Sequence, residues 1–306
     1  MRSAFPLPAA GTKGRVLVLD FICNPIAGKG NGRRFRDAIE ARLSALGVAH
    51  RFHETNGRGH AVELARRLSG AAAQADIVAM GGDGTLHEVL NGLVDPGRVR
   101  LGIVPCGSGN DFAAVAGIPA SPEGALDVLL NGKARYTDYL ECGGVRGINA
   151  IGTGIDVDIL RRYNRMKLLK GSAAYLASLV LTLFSYKARR FSETIAGGAR
   201  QHNALIACAA NGQRIGGGIP ICPEAKIDDG LLDIVIVDDI ARYAIPGAFI
   251  QLLKRRVLEL PTTTYRRDER LRVRADAPMP IQIDGEIYEG LPFDVRVVHD
   301  CLRMYR

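Results

Sequence analysis

Tryptophan is absent from the 306 residues and aromatic side chains make up only 6% of them. So sparse a set offers no platform on which bases could stack, and nucleic acid is set aside as a partner. Cysteine is scarce as well: the six residues at 23, 106, 142, 208, 222 and 301 show neither Cys-x-x-Cys nor paired-His spacing. Zinc sites and disulfide frameworks are therefore not expected, and the thiols read as small buried hydrophobes of a reduced, cytoplasmic protein. No apolar run reaches the about 20 residues that a bilayer span requires. The nearest approach, Ser172 to Tyr186, is enclosed by Lys167 and Lys170 before it and by Lys187, Arg189 and Arg190 after it. It reads as a helix packed in or between domains, with a membrane-surface helix as the alternative. Residues 1–14, rich in Ala, Pro and Gly, lack the apolar core of a signal peptide and read as a flexible tail. Acidic residues are the minority, 32 against 40 basic, and the net charge is +8. The excess gathers at Arg161-Arg162, Arg165 to Lys170, Lys187 to Arg190, Lys254 to Arg256 and Arg266 to Arg274, as a solvated face or as a patch for an anionic membrane surface.

What is present is a folded composition, 47% hydrophobic and 24% charged, long enough for two domains. Asp76-Ile77-Val78-Ala79-Met80 is a short apolar run. Leu86, Val89, Leu90 and Leu93 then recur at i, i+3, i+4 and i+7. Strand, Gly81-Gly82-Asp83-Gly84 turn and helix follow one another, with Thr85 placed as the helix cap. Glycine lets backbone approach a ligand closely, and free amides at a helix start attract anions. Taken alone, the same four residues are equally compatible with an ordinary tight turn.

The pattern repeats twice. Val16 to Cys23 runs into Asn24-Pro25-Ile26-Ala27-Gly28-Lys29-Gly30, and Leu101 to Pro105 leads into Cys106-Gly107-Ser108-Gly109-Asn110-Asp111-Phe112-Ala113. Parallel strands of an open α/β sheet bring such loops to one edge. The first loop has no Lys-Ser or Lys-Thr pair at Walker spacing, and its glycines do not fit the dinucleotide fingerprint.

Together these three loops resemble the catalytic domain shared by diacylglycerol kinases and sphingosine kinases. Asn211-Gly212, Gly216-Gly217-Gly218 and Cys222 to Asp233 extend the likeness toward the bacterial soluble branch, and Ile283-Asp284-Gly285-Glu286 matches its acidic C-terminal motif. The resemblance covers roughly residues 15 to 298. It implies an ATP- and Mg²⁺-dependent lipid kinase with an α/β N-terminal domain, three-layered and NAD kinase/diacylglycerol kinase-like, at 15–137. A β-sandwich C-terminal domain for lipid follows at 138–306. The change of pattern near residue 138, from alternating strands and helices to many short strands with one or two helices, agrees.

By the same resemblance, Glu286 is the general base, with Asp284 as its near alternate, and Asp83 engages the magnesium shell. Asn24, Lys29, Thr55, Gly82, Gly84, Thr85, Glu88, Ser108, Asn110 and Asp111 contact or shape the nucleotide site. Lys226, Asp229 and Leu231 would hold a structural Mg²⁺, although from the residues alone Asp228-Asp229-Gly230 reads as a β-turn. Two positions depart from the family: His87 stands where asparagine is common, and Ala114 where many relatives carry arginine. The second leaves the acceptor lipid open among diacylglycerol, phosphatidylglycerol, a sphingoid base and a ceramide-like alcohol. An NAD kinase-like soluble kinase is the alternative enzyme, and a nucleotide-binding, membrane-associated regulator without turnover is the non-enzymatic one. A homodimer is left open.

Overall fold

The computed structural model describes residues 18–166, 172–277 and 279–306. The tail expected at 1–14 lies outside these residues, as do Lys167 and Lys170.

The first half alternates strand and helix: β1 (Val18–Cys23), α1 (Ala27–Ala45), β2 (Ala49–Glu54), α2 (His60–Gly70), β3 (Ala75–Gly81), α3 (Asp83–Gly92), β4 (Val99–Pro105), α4 (Asp111–Val115) and α5 (Pro122–Asn131). The strands pair in parallel in the order β2-β1-β3-β4. β3 is buried along its whole length, which is why it reads as an unbroken apolar run and not as an alternation. Helices α1 and α5 pack together, as do α2 and α3, and with the sheet they enclose a core of Phe21, Ile39, Leu43, Ile77, Leu90 and Leu101. The order in which strands are added to the sheet reverses between β1 and β3, so the carboxyl ends of these strands flank a crevice.

The second half contains β5 (Ala134–Cys142), β6 (Val145–Gly147), β7 (Ala150–Gly154), α6 (Ile155–Arg165), α7 (Ser172–Ser185), β8 (Arg189–Ile195), β9 (Gly198–Ala210), β10 (Leu232–Asp238), α8 (Ile245–Leu253), β11 (Thr263–Asp268), β12 (Arg270–Arg274), β13 (Ile281–Ile283), β14 (Glu286–Tyr288) and β15 (Phe293–Tyr305). Its pairings are antiparallel, and its strands enclose a β-sandwich core. Leu232, Ile234 and Ile236 of β10 face that core. Val235 and Val237 face outward into a second apolar cluster with α6 and α7. One strand thus serves two cores by the two-residue period of its side chains.

β15 joins the halves. Its first part pairs with β12, it pairs with β5 as far as Tyr305, and on its other edge Arg303 and Met304 pair in parallel with Arg100 and Leu101 of β4. The C-terminal strand therefore extends the sheet of the first half.

Two expectations are corrected. Among the described residues the second half carries three α-helices, where one or two are expected. Thr85 is not the cap of α3: the helix begins at Asp83 after the extended residue Gly82, and Thr85 lies buried within the first turn.

Candidate active site

The register of β1, β3 and β4 brings the three glycine loops against one another. Cys106 N–H donates to the Gly81 carbonyl at 2.8 Å, and Asn24 N–H to the Met80 carbonyl at 2.9 Å. A Cβ on Gly28 would lie 1.9 Å from the Cys106 carbonyl oxygen, and one on Gly107 would lie 2.5 Å from the Gly82 Cα. These glycines are required first by the approach of loop to loop. Gly28, Lys29 and Gly30 also take positive φ, so the regular part of α1 begins after them. The Asn110 amide closes the third loop, accepting from Gly107 N–H at 2.9 Å and donating to its carbonyl at 2.8 Å. Thr55 N–H donates to the Cys23 carbonyl at 2.8 Å, which sets Thr55 at the same sheet edge.

From the second half, the loop between β13 and β14 comes over this edge. Glu286 Oε1 lies 3.8 Å from the position of a Cβ on Gly84, in the first turn of α3. Asp83, Gly84, Ser108, Asp111, Asp284 and Glu286 share the lining of one cleft of ≈ 390 Å³. The third loop is tied in from the other side, with Gly217 N–H donating to Asp111 Oδ2 at 2.7 Å.

The two acidic residues of the Asp-Gly-Glu turn are held very differently. Asp284 is buried, and its carboxylate accepts from the amides of Ile148, Asn149 and Ala150 at 2.8, 2.9 and 3.2 Å and approaches His87 Nδ1 at 3.2 Å. Its acceptor positions are thereby filled. His87 also meets the Tyr288 hydroxyl at 2.8 Å through Nε2, so α3 grips both ends of the turn. Among the described residues Glu286 accepts from no backbone amide and meets only Arg58, whose guanidinium donates to Oε2 at 2.5 Å.

The remaining carboxylates are crowded. Burial, followed by the neighbouring Asp111, raises Asp83 from 3.8 to about 6, and its contact with Phe112 N–H is long at 3.5 Å. Burial raises Asp111 too, opposed by the amides of Gly217 and Gly218. A pair of close carboxylates with few donors, beside serine and asparagine oxygens, fits a hard divalent cation.

Residues 18–142 match the family model of the diacylglycerol kinase catalytic domain, and residues 149–306 that of the YegS C-terminal NAD kinase beta sandwich-like domain. The chain belongs to the YegS-like lipid kinase family. A "Probable lipid kinase YegS-like" of Pseudomonas fluorescens is 33% identical over 258 residues, covering 83% of this chain and 84% of that protein. A "Diacylglycerol kinase" of Mycobacterium tuberculosis is 28% identical, covering 93% and 94%. The fold is shared with a solved diacylglycerol kinase structure from Bacillus anthracis, at TM-score 0.72 and 21% identity over 95% of this chain and 96% of that one.

Within this lipid-kinase fold some expected residues are committed elsewhere. Glu88 accepts from the amides of Gly59 and Ala61 at 2.9 and 3.2 Å, so its carboxylate caps α2. Thr85 Oγ1 accepts from Asn24 at 3.4 Å, joining the first two loops, and Lys29 is exposed beside them. Asp229 is already paired with a cation, the Arg267 guanidinium, and its other oxygen accepts from Leu231 N–H at 3.3 Å. Arg267 also approaches buried Asp233 at 3.3 Å. The set Lys226, Asp229 and Leu231 thus carries a protein charge where a structural ion was expected. Cys106, next to the site, is buried and its thiol is pushed up to about 12, so it is inert.

One residue of the cleft, and one that pairs with Glu286 at its edge, went unseen in the sequence. Arg58 gave no signal, because its partner is 228 residues away. Asp156, in the first turn of α6, is 1% exposed; its Oδ1 accepts from Val157 N–H at 2.9 Å and its carboxyl meets the Gln282 side chain. It stands where the polar cleft meets an apolar chamber of ≈ 90 Å³ lined by Ile159, Tyr175, Leu179, Leu205, Phe249 and Leu252. A carboxyl inside the run Ile155 to Ile159 was the available sign.

Proposed function

We propose that this lipid-kinase family member, a phosphotransferase with an alcohol acceptor, moves the γ-phosphoryl group of ATP to a lipid hydroxyl, with Glu286 as general base. Residues 15–137 hold the nucleotide and residues 138–306 the acceptor. The observation that carries the reading is the position of Glu286 beside Gly84, at the phosphate-attracting start of α3.

The amides of Gly82, Gly84 and Thr85 receive the phosphates, with Lys29 adding charge from the first loop. Asn24, Thr55, Ser108 and Asn110 bound the nucleotide at the sheet edge, and Asp111 holds the third loop to Gly217. Asp83 would hold Mg²⁺, which would supply neutralisation of charge on the phosphate oxygens. Glu286 accepts the acceptor hydroxyl's proton as the acceptor oxygen bonds to phosphorus and the bond from phosphorus to the ADP oxygen breaks. Asp284, with its acceptor positions filled, orients the turn that carries Glu286.

The apolar chamber behind Asp156 suits a hydrocarbon chain, and the Asp156 carboxyl, which lines both chamber and cleft, suits the acceptor's polar head between them. Such an acceptor resides in membrane, and we place the protein at the surface of an anionic one. Among the described residues no helix is long and apolar enough to cross it.

The test is incubation of the purified chain with labelled ATP, Mg²⁺ and total lipid extract, and separately with NAD. Labelled lipid is expected. Labelled NADP, or no product in either tube, overturns the proposal.

A further inference from the structure

Helix α3 turns one face to the hairpin that carries Glu286. Gly84, His87 and Asn91 recur on it at i, i+3 and i+7, and each meets the second half. Gly84 lies beside Glu286. Asn91 pairs with the backbone of Arg146 in β6, its Oδ1 accepting from the amide at 2.9 Å and its Nδ2 donating to the carbonyl at 2.8 Å. His87, between them, is buried, and its two ring nitrogens meet Asp284 and Tyr288.

The hairpin itself is stiff. Ile283 pairs with Glu286 across the two-residue turn Asp284-Gly285, and both turn residues take positive φ, 50° and 89°, as a primed turn requires. Gly285 N–H donates to Gln282 Oε1 at 2.9 Å, which braces the turn from within. Tyr288 stands two residues beyond Glu286 in β14 and projects from the same face of the strand. Side chains held at 284 and 288 therefore fix the backbone of Glu286 between them.

The hydrogen bonds also select a tautomer. The Asp284 carboxylate only accepts, so His87 donates to it from Nδ1, and Nε2 is left to accept from the Tyr288 hydroxyl. The Asn91 amide nitrogen lies 3.4 Å from the same Nε2 but directs its two hydrogens to the carbonyls of His87 and Arg146. An asparagine at position 87 has no atom at the place of Nε2. It could keep the contact to Asp284 and not the one to Tyr288.

We infer that His87 is a positioning residue of the phosphoryl transfer: by holding Asp284 and Tyr288 together it sets Glu286 at its working distance from the start of α3. His87 does not itself line the cleft. The inference rests on the lipid-kinase reading, to which it adds the residue that registers the base of the second half on the phosphate site of the first.

The experiment measures kcat and KM for ATP on the full chain with His87→Asn, Tyr288→Phe and the double variant, total lipid extract serving as acceptor. Each single substitution breaks the same hydrogen bond, so each should lower kcat about tenfold with KM for ATP unchanged, and the double variant should lose no more than the singles. Losses that multiply to about 100-fold in the double variant overturn the inference. So does a lowered thermal midpoint with kcat per folded molecule unchanged. Hydrogen exchange of residues 284–288 needs no substrate and should quicken in both single variants; exchange as slow as in the wild type overturns the inference. Quickened exchange in the variants of a chain that phosphorylates no lipid supports the hold of His87 on the turn and refutes the kinase reading.

Discussion

At the scale of the residue, the contrast between Asp284 and Glu286 has the clearest consequence. Three amides and a histidine hold the first, whereas a single side-chain ion pair holds the second. Glu286→Gln is expected to lower turnover by about 10²- to 10⁴-fold with ATP affinity and thermal midpoint retained. A single-turnover assay beside calorimetry checks this. Asp284→Asn should instead lower stability, because an amide nitrogen would face backbone donors. Asp156 gives a pH dependence. Burial raises its carboxyl from 3.8 to about 7 in the folded chain. The unfolded chain ionises first, so folding stability contributed by the protonated group is lost as pH rises from 3.8 through about 7, and is flat above. Asp156→Asn should remove that slope and stabilise the lipid-free protein at pH 8 by at most ~4 kcal/mol, read from denaturant midpoints across pH. The motifs were legible at this scale because each is contiguous in sequence. Arg58 and His87 owe their partners to the docking of distant segments, which no local spacing encodes.

At the scale of the element, glycine loops and strand ends explain one another. Gly107→Ala would drive a methyl group to 2.5 Å from the Gly82 backbone. The second and third loops must then separate, and a higher KM for ATP with a loss of roughly 1–3 kcal/mol in stability is expected, measured by steady-state kinetics and urea unfolding. The loop of residues 226–231 makes a different forecast: because Arg267 already pairs with Asp229, EDTA should leave the thermal midpoint unchanged, while Arg267→Ala should make it rise with added Mg²⁺. β1, β3 and β4 were readable since they are buried along nearly their whole length and are therefore mostly apolar, whereas the edge strand β2 is partly exposed and polar. β8, with Arg189, Arg190 and Glu193 among its seven residues, lacks that mark. β14 is three residues long and merges in sequence with the acidic motif.

At the scale of the whole molecule, β15 couples the two halves. Leu302 and Met304 are fully buried in the core of the first half, and Tyr305 donates to Asp76 Oδ1 at 2.7 Å. Met304→Ala is expected to cost 2–5 kcal/mol, on the order seen for buried large-to-small changes, and calorimetry should still record one transition spanning both halves. Sequence revealed two halves through their different strand and helix rhythms. It did not reveal that the last strand returns to the first sheet, because a long alternating strand looks the same whichever neighbour it joins. The return has a consequence during synthesis. β4 waits, with part of its rim of amides and carbonyls bare, until the ribosome has made residues 303 and 304. The first half made or cleaved without β15 would then be a template for strand addition by other chains.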